Sequence, residues 1–556
     1  MPILGPASTL TESPSRNGLI GYGRHPWSLI PGSALSYCGI EETNLVRGFA
    51  NSPTQTGVTV FQYVSVPILV TAFAWITGTD NVNPLQAVLS LLLLQIAWSS
   101  WQYWRSRPIS ARDFPTFTLV AVMIWLAYGL PLFCSQEQSW SFAGGFASPD
   151  GIVRAQLLAL LGIVSLYFGM RLGVGRRLRT TPTLDLRDTS ASPKYVIAAM
   201  VFGVSLRYLP ILSNFLGSSF RQVFMILQNA LPLVAYAILL RRSLMRRVPL
   251  YERALLVSFV LGTVLFGLAT GWVGTGVSII MVTGCVVLDT RFTIPKAAVL
   301  VVFSYILFLQ PAKQQFRAAY WGTDSQSGDV SRASDWISMS KQKWQHALSD
   351  SDPEALRQQL YGSMSRFSML QQSSNVMDLT PSIVPYQGWK MYSFMAYTLI
   401  PRAIWKDKPM VNDANRFYQV TYKITAERDL DGVSIGVGVL TEGYISFGWI
   451  GAAFAMAFVG VVLDCVTALT LTRDAGMLMK GVGIALLPGF AVMEAHMAQY
   501  LGGVVQQAFL TILIMLPLAQ VTRRWQIQPS FRRRRVPVPP QPVRIPGASH
   551  VPEPMR

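Results

Sequence analysis

Charge is scarce in this chain: only 13% of its 556 residues are Asp, Glu, Lys or Arg, about half the roughly 25% of a soluble domain. Histidine and cysteine are scarcer still, at four each. Cys38, Cys134, Cys285 and Cys465 are widely scattered, and the last three sit in apolar blocks. That spacing excludes a disulfide framework and a CxxC metal site, and leaves the thiols as small apolar side chains. His25, His346, His496 and His550 do not cluster, so no histidine-rich metal site is expected. A GxxxxGK phosphate loop followed by Ser or Thr is also missing, and nothing suggests ATP-driven transport.

Apolar residues, at 51%, are what the chain has in abundance. They come in blocks, and a helix needs about 20 residues to cross a bilayer. A water-soluble enzyme, a disordered tail protein and a fibrous chain are thereby excluded. Twelve blocks are expected to span, near 58–77, 85–104, 115–134, 153–170, 195–213, 222–240, 254–270, 272–288, 297–311, 446–470, 481–498 and 504–521. The fold class read from this is an all-α polytopic membrane protein.

The net charge of +18 points to nucleic acid in a soluble protein. Here it reads first as orientation, because Lys and Arg crowd cytoplasmic loops. Basic residues alternate along the connections: none in 78–84 or 135–151, three in 105–114, six in 171–194 and five in 241–253. With both termini cytoplasmic, 29 of the 46 cations are explained by topology. Residues 1–56 are then a cytoplasmic N-terminal segment and 57–311 hold nine spans. Residues 446–521 hold three more, and 522–556 form a Pro/Arg-rich disordered tail whose Arg532–Arg535 run faces anionic headgroups. Membrane lipids are expected partners and nucleic acid is not.

One segment escapes this account. Residues 312–445 form a large outer loop carrying fourteen cations that topology does not require, and a loop of that length is usually functional or folded. Ser331 to Leu348 is weakly amphipathic. Ser-Asp-Pro-Glu at 351–354 offers an N-cap and a capping-box Glu354, predicting a helix to about Val376. Segment 389–405, apolar and aromatic, is expected to lie in the membrane interface or dip in from outside. The glycine-rich 432–448 then places Glu442 near the membrane surface.

Arg317, Arg402, Lys406 and Lys408 gather at the outer boundary. Guanidinium forks and ammonium groups bind phosphate oxygens, so these residues suit a lipid-linked diphosphate as well as they suit ordinary headgroup binding or loop solvation. Arg207, in the fifth block, and Glu494 and His496, in the eleventh, are intramembrane ionisable groups and default to functional candidates. Arg207 also fits a side chain snorkelling outward, and Glu494 a partner for it. The pairs Asp350/Asp352 and Asp429/Asp431 have metal-ligand spacing but read better as a cap and a turn.

A family resemblance rests on residues 306–455. Its parts are Gln310-Pro-Ala-Lys313 with Arg317 and Trp321, then Arg366, then Leu-Ile-Pro-Arg402-x-x-Trp-Lys-Asp-Lys-Pro409. Thr-Glu442-Gly-Tyr444-x-x-Phe-Gly448-x-x-Gly451 closes the series. This order resembles the bacterial O-antigen and exopolysaccharide repeat-unit polymerases of the Wzy type. The resemblance implies a multi-pass glycosyltransferase of the bacterial inner membrane with a GT-C-like fold, 312–445 being its periplasmic loop. It implies transfer of a growing glycan from undecaprenyl diphosphate to the non-reducing end of another lipid-linked repeat unit. No cofactor, nucleotide sugar or metal is expected, and a chain-length regulator is a conceivable partner. Arg317, Arg402 and Lys408 would clamp the diphosphate with help from Arg366 and Arg207, and Glu442 would serve as base or orient an arginine. Two other readings stay open: an O-antigen ligase transferring glycan to a lipid A core, for which His346 is the loop's sole histidine, and a flippase or other transporter. A non-enzymatic assembly protein is a further one.

Overall fold

A computed structural model describes residues 60–78, 82–133, 148–189, 191–207, 217–321, 329–349, 353–364, 367–399, 405, 413–427, 430 and 435–522, all within one compact unit that begins at Val60. It is about 81% helical. Six helices open the series: α1 (Val60–Thr77), α2 (Pro84–Ser106), α3 (Thr116–Tyr128), α4 (Pro149–Arg171), α5 (Val174–Leu178) and α6 (Ser192–Ser205). Next come α7 (Gly217–Met245), α8 (Leu250–Thr270), α9 (Val273–Arg291), α10 (Lys296–Leu309) and α11 (Lys313–Tyr320). The expected outer loop supplies α12 (Asp329–Ser349), α13 (Pro353–Met364), α14 (Leu370–Leu379), α15 (Lys390–Leu399) and α16 (Asp413–Thr421). The chain then returns through α17 (Val439–Val466), α18 (Met477–Ala491) and α19 (Met497–Met515).

Helix starts follow local chemistry. Asn83 caps α2 with a complete capping box to Gln86, and Ser148 caps α4, each followed by proline at the first helical position, the position that loses nothing by lacking an N–H.

A helix stands at each of the twelve apolar blocks, and among the described residues nine helices are long and apolar enough to cross a membrane. This is the make-up of a multi-pass membrane protein. Two of the remaining three blocks hold shorter apolar helices, Tyr63–Ile76 and Met477–Ala491; the third, α6, has 14 residues. The ninth span does not stop at 311. A 3-10 turn at Gln310–Ala312 joins α10 to α11, and the run Lys296–Tyr320 carries Lys313 and Arg317 with it.

Connections meet at two ends of the bundle. At one end Phe114 N–H donates to Leu471 O (3.2 Å), Arg179 pairs with Asp113 (2.8 Å) and Arg473 N–H reaches Asp113 Oδ1 (3.3 Å). A two-stranded antiparallel ribbon, β1 (Thr183–Leu186) with β2 (Ala519–Thr522), lies there, in segments where the sequence predicts only loop and span end. Gly476 N–H donates to Thr183 Oγ1 (3.0 Å) and Met477 N–H to Asp185 Oδ1 (2.7 Å), tying the start of α18 to the ribbon. At the other end the loop helices sit on the bundle: Met369 N–H donates to Ala127 O (2.9 Å), and Arg357 bonds Gly78 O. Two helices, α13 and α14, stand where a single one is predicted.

Of the cations counted as loop residues, Lys480 is buried and Arg241 is mostly so. Lys480 (Nζ–Oδ1 3.2 Å) and Arg241 both pair with Asp289 on α9, which joins α7, α9 and α18. A buried carboxylate removed from two buried cations leaves them uncompensated, at a cost of about 3–5 kcal/mol. Asp289→Ala is therefore expected to lower thermal stability sharply in detergent, whereas Asp188→Ala, on an exposed pair with Arg246, leaves it within experimental error. Equal melting curves for the two variants would contradict this.

A second fastening joins α14 to α4. Asp378 accepts from Ser148 N–H (3.0 Å) and Ser148 Oγ (2.8 Å), and pairs with Arg154 (2.6 Å). Arg154 Nη1 also donates to Met377 O (3.0 Å). Charge-assisted bonds contribute about 1.5–3 kcal/mol each. Asp378→Ala is expected to raise hydrogen exchange across α14 at least ten-fold while α9 exchanges as before.

Candidate functional site

The residue run 439–466 is helical on both sides of a reversal, not through it. Phe447 (φ −141°) and Gly448 (φ +66°) are non-helical, and a positive φ is open to glycine without the Cβ penalty. The two arms touch: a Cβ placed on Gly443 would stand 2.7 Å from Ala452 Cα, and one on Gly451 2.3 Å from Gly443 O. In a straight helix those residues stand about 12 Å apart along the axis. Leu440 and Met456 likewise both meet the same α4 residue, Gly162. Residues 439–446 therefore form a short re-entrant arm folded against the long helix 449–466. The predicted span at 446–470 matches the long helix; the glycine-rich lead-in is the arm.

Glu442 lies on this arm and is 0% exposed. Met497 N–H, in the first turn of α19, donates to Glu442 Oε2 (2.6 Å). A helix N-terminus carries partial positive charge and unsatisfied N–H groups, which suits an anion. Glu442 Oε1 has no hydrogen-bond partner among the described residues. Gly438 (φ +73°) begins the arm, and its N–H donates to Glu494 O (3.2 Å). Glu494 and His496 thus occupy the turn 492–496 between α18 and α19 rather than a span, and His496 is the fully buried N-cap residue of α19. A cavity of about 30 Å³ is lined by residues of both arm and turn, among them Val439, Leu440, Val492 and Met493, with Tyr128 and Tyr500. That is room for a water molecule or two, not for a sugar ring.

Hydroxyls surround the arm. Ser373 Oγ lies 2.6 Å from Thr441 Oγ1 and 3.3 Å from Tyr128 OH. Tyr422 OH meets Thr380 Oγ1 (2.6 Å), and Tyr444 OH donates to Thr380 O (3.3 Å). Tyr392, on α15, stands beside Glu442 and Ser446; burial first, and then the Glu442 charge, push its phenol above the ordinary tyrosine range. Above Tyr392 sit Phe447 (centroids 6.3 Å) and Trp389 (6.2 Å), and Trp389 is 76% exposed. Of these hydroxyl and aromatic residues the sequence motif contains Thr441, Tyr444 and Phe447; Tyr128, Ser373, Thr380, Trp389, Tyr392 and Tyr422 are not singled out by the sequence. The signal available was the aromatic density of 389–405, read there as an interfacial feature.

Arg317, on α11, lies over the Trp321 ring (4.0 Å to its centroid) with Trp272 alongside (5.2 Å), the two indoles themselves being in contact (centroids 5.5 Å), and Nη2 donates to Gly271 O (3.3 Å). Arg207 lies two residues beyond the end of α6. Its Nε donates to Gln228 O (3.3 Å), its Nη2 to Asn229 Oδ1 (3.5 Å), and its guanidinium is 4.9 Å from the Phe266 ring centroid. Phe266 and Gly271 are five residues apart, so both arginines are anchored at the same end of α8. No contact joins either of them to Glu442 among those described. Arg366, Arg402 and Lys408 lie outside the described residues, as do Lys406 and the pairs Asp350/Asp352 and Asp429/Asp431. His346 is exposed on α12. No group of three or more His, Cys, Asp or Glu able to hold a metal occurs among the described residues.

The fold and site define a predominantly helical, multi-pass membrane protein with a buried carboxylate on a folded-back arm beneath a helical cap. The chain belongs to the DUF8712 family, described as a domain of unknown function, whose profile matches residues 133–486. No curated protein and no solved structure matches the chain.

Proposed function

We propose that this protein is a polymerase of lipid-linked oligosaccharide repeat units, acting at the periplasmic face of a bacterial inner membrane. Glu442 carries the reading: a carboxylate kept fully buried, with one oxygen fixed by an α19 N–H and the other without a partner among the described residues. Such a group is expensive to bury and marks a functional site more often than a structural one. The charge pattern supports placing 312–445 outside, and the resemblance across 306–455 supports undecaprenyl diphosphate as carrier of donor and acceptor.

In the proposed reaction the acceptor hydroxyl gives its proton to Glu442 as its oxygen bonds the donor's anomeric carbon. The bond from that carbon to the diphosphate breaks, and its electron pair leaves on the phosphate oxygen. Fixed cations stabilise charge that grows there, often the largest single catalytic effect. Arg317 and Arg207, sharing one end of α8, fit this role, with Arg402, Lys408 and Arg366 as further candidates. No step calls for a metal or a nucleotide.

A transporter is the second reading, favoured by the broken helix itself, since transporters build their sites at discontinuous helices. Purified protein supplied with synthetic lipid-diphosphate repeat units distinguishes the cases. A ladder of lengthened lipid-linked glycans is expected. Transfer only to lipid A core would make it a ligase, and movement of intact substrate across proteoliposomes without new bonds would make it a transporter.

A further inference from the structure

Helix α12 belongs to the stretch read from sequence as an outer loop, yet it is fastened to the body of a span. Trp336 Nε1 donates to Leu309 O (3.2 Å), and Trp344 Nε1 to Phe308 O (3.1 Å). Ser363 Oγ, on α13, donates to Leu307 O (3.3 Å). Three successive carbonyls near the end of α10 therefore take side-chain donors from the loop helices. Pro311 accounts for the Leu307 bond, because it lacks the N–H that would close the helical bond there. Inside a bilayer a carbonyl so released must find its partner within the protein. The level of these bonds follows from helix geometry. Leu307 to Leu309 stand about 16–20 Å along α10 from Lys296, short of the roughly 30 Å of a hydrocarbon core. A tilt of α10 only brings them nearer that end.

The faces of α12 divide accordingly. Ala333, Trp336, Ser340 and Ala347 are buried against the bundle, Trp336 in one apolar cluster with Leu268, Leu309 and Phe316. On one flank Val330, Ile337 and Leu348 are 69%, 43% and 67% exposed, with half-buried Trp344 between the last two. Steps of seven, seven and four residues keep these four in a single stripe. The other flank carries Arg332, Asp335, Lys343 and His346. There Asp335 accepts from Tyr320 OH, and Arg332 lies over the Tyr320 ring. Tyr320 is the last residue of the run Lys296–Tyr320, so the charged flank faces out of the membrane and the apolar flank into it. Phe308, whose carbonyl holds Trp344, is exposed in turn, as are Leu300 and Phe303 below it on the span. The α12 stripe extends that lipid-facing surface. Lys341 shares the stripe; its stem lies along apolar surface while its ammonium reaches headgroup level.

We infer that α12 is an interfacial helix, its stripe Val330, Ile337 and Leu348 seated among the acyl chains of the leaflet at the Tyr320 end, with Lys341 at the headgroup phosphates. Helices of this kind bury their apolar face about 5–10 Å into the headgroup and acyl boundary. The inference stands independently of the polymerase reading.

Full-length wild-type protein is placed in nanodiscs of phosphatidylethanolamine and phosphatidylglycerol. It is photolabelled with a phosphatidylglycerol bearing a diazirine midway along one acyl chain, and adducts are mapped by mass spectrometry. Val330, Ile337 and Leu348 are expected to be labelled to within about three-fold of Leu300 and Phe303, and about ten-fold or more above Lys343 and His346. Ile337→Asp supplies a second measurement. On a water-facing surface such a substitution is nearly neutral. Against acyl chains it expels the helix, and hydrogen exchange across α12 in nanodiscs should rise about ten-fold or more while α9 exchanges as before. Lipid adducts on Leu300 and Phe303 with none on α12 overturn the inference, and so does unchanged exchange in Ile337→Asp. Cross-links from α12 to a second copy of the chain, in place of lipid adducts, overturn it in favour of a contact between copies.

Discussion

Glu442→Gln is expected to reduce glycan polymerisation by about 10²–10⁴, the usual contribution of a positioned acid or base, while the protein folds and inserts normally. The substitution is nearly isosteric, and the glutamine carbonyl oxygen still accepts the Met497 N–H that Glu442 now binds at 2.6 Å. What it cannot do is take a proton. Glu442→Ala differs: it leaves the N-terminus of α19 without its side-chain acceptor, and an unsatisfied buried donor costs about 1–3 kcal/mol. The alanine variant should therefore lose stability as well as activity, and the glutamine variant activity alone. Initial rates from purified protein, alongside melting curves, separate the two effects. Polymerisation by Glu442→Gln within a few-fold of wild type would remove Glu442 from proton transfer.

Arg317→Ala carries the second large effect. Its guanidinium lies over Trp321 with Trp272 alongside and is bonded to Gly271 O, which fixes the plane of the fork. Loss of one charged contact to the leaving diphosphate is worth about 1.5–3 kcal/mol, or roughly 10- to 150-fold in rate. Arg317→Lys keeps the charge but not the planar stacking, and should fall between wild type and alanine. A purely structural role for the indole pair predicts lower stability with an unaltered response to phosphate. Inhibition by inorganic pyrophosphate is therefore the readout: the inhibition constant should rise in Arg317→Ala and stay constant in Arg332→Ala, whose guanidinium lies over Tyr320.

The long apolar runs were legible because hydropathy is a local signal, and a helix stands at each of them. The extension to Tyr320 was not, since Lys313-Gln-Gln-Phe-Arg317 has polar composition; Lys313 and Phe316 are nevertheless buried against the rest of the protein. The same limit applies to charge. Arg241 and Lys480 look like loop cations until Asp289, distant in sequence, gathers both.

At the site, Glu442 was found through its motif, but its surroundings were hidden. The re-entrant arm depends on Gly443 meeting Gly451 and Ala452, a contact that exists only after the chain reverses at Gly448. No periodicity announces it, because the arm and the long helix are both helical. Tyr392 and Ser373 reach the arm from other helices, α15 and α14, so only tertiary structure reveals them. Arg154 and Asp378, 224 residues apart, are invisible for the same reason.

Carrier stoichiometry tests the central claim most directly. Purified wild-type protein in nanodiscs is given one synthetic undecaprenyl-diphosphate repeat unit as its only substrate, and free undecaprenyl diphosphate is counted against glycosidic bonds formed. Transfer from a lipid-diphosphate donor to a lipid-linked acceptor predicts one free carrier for every new bond, with both falling together in Glu442→Gln. Bonds formed without matching carrier release, or carrier-linked substrate left at its original length, would contradict the account.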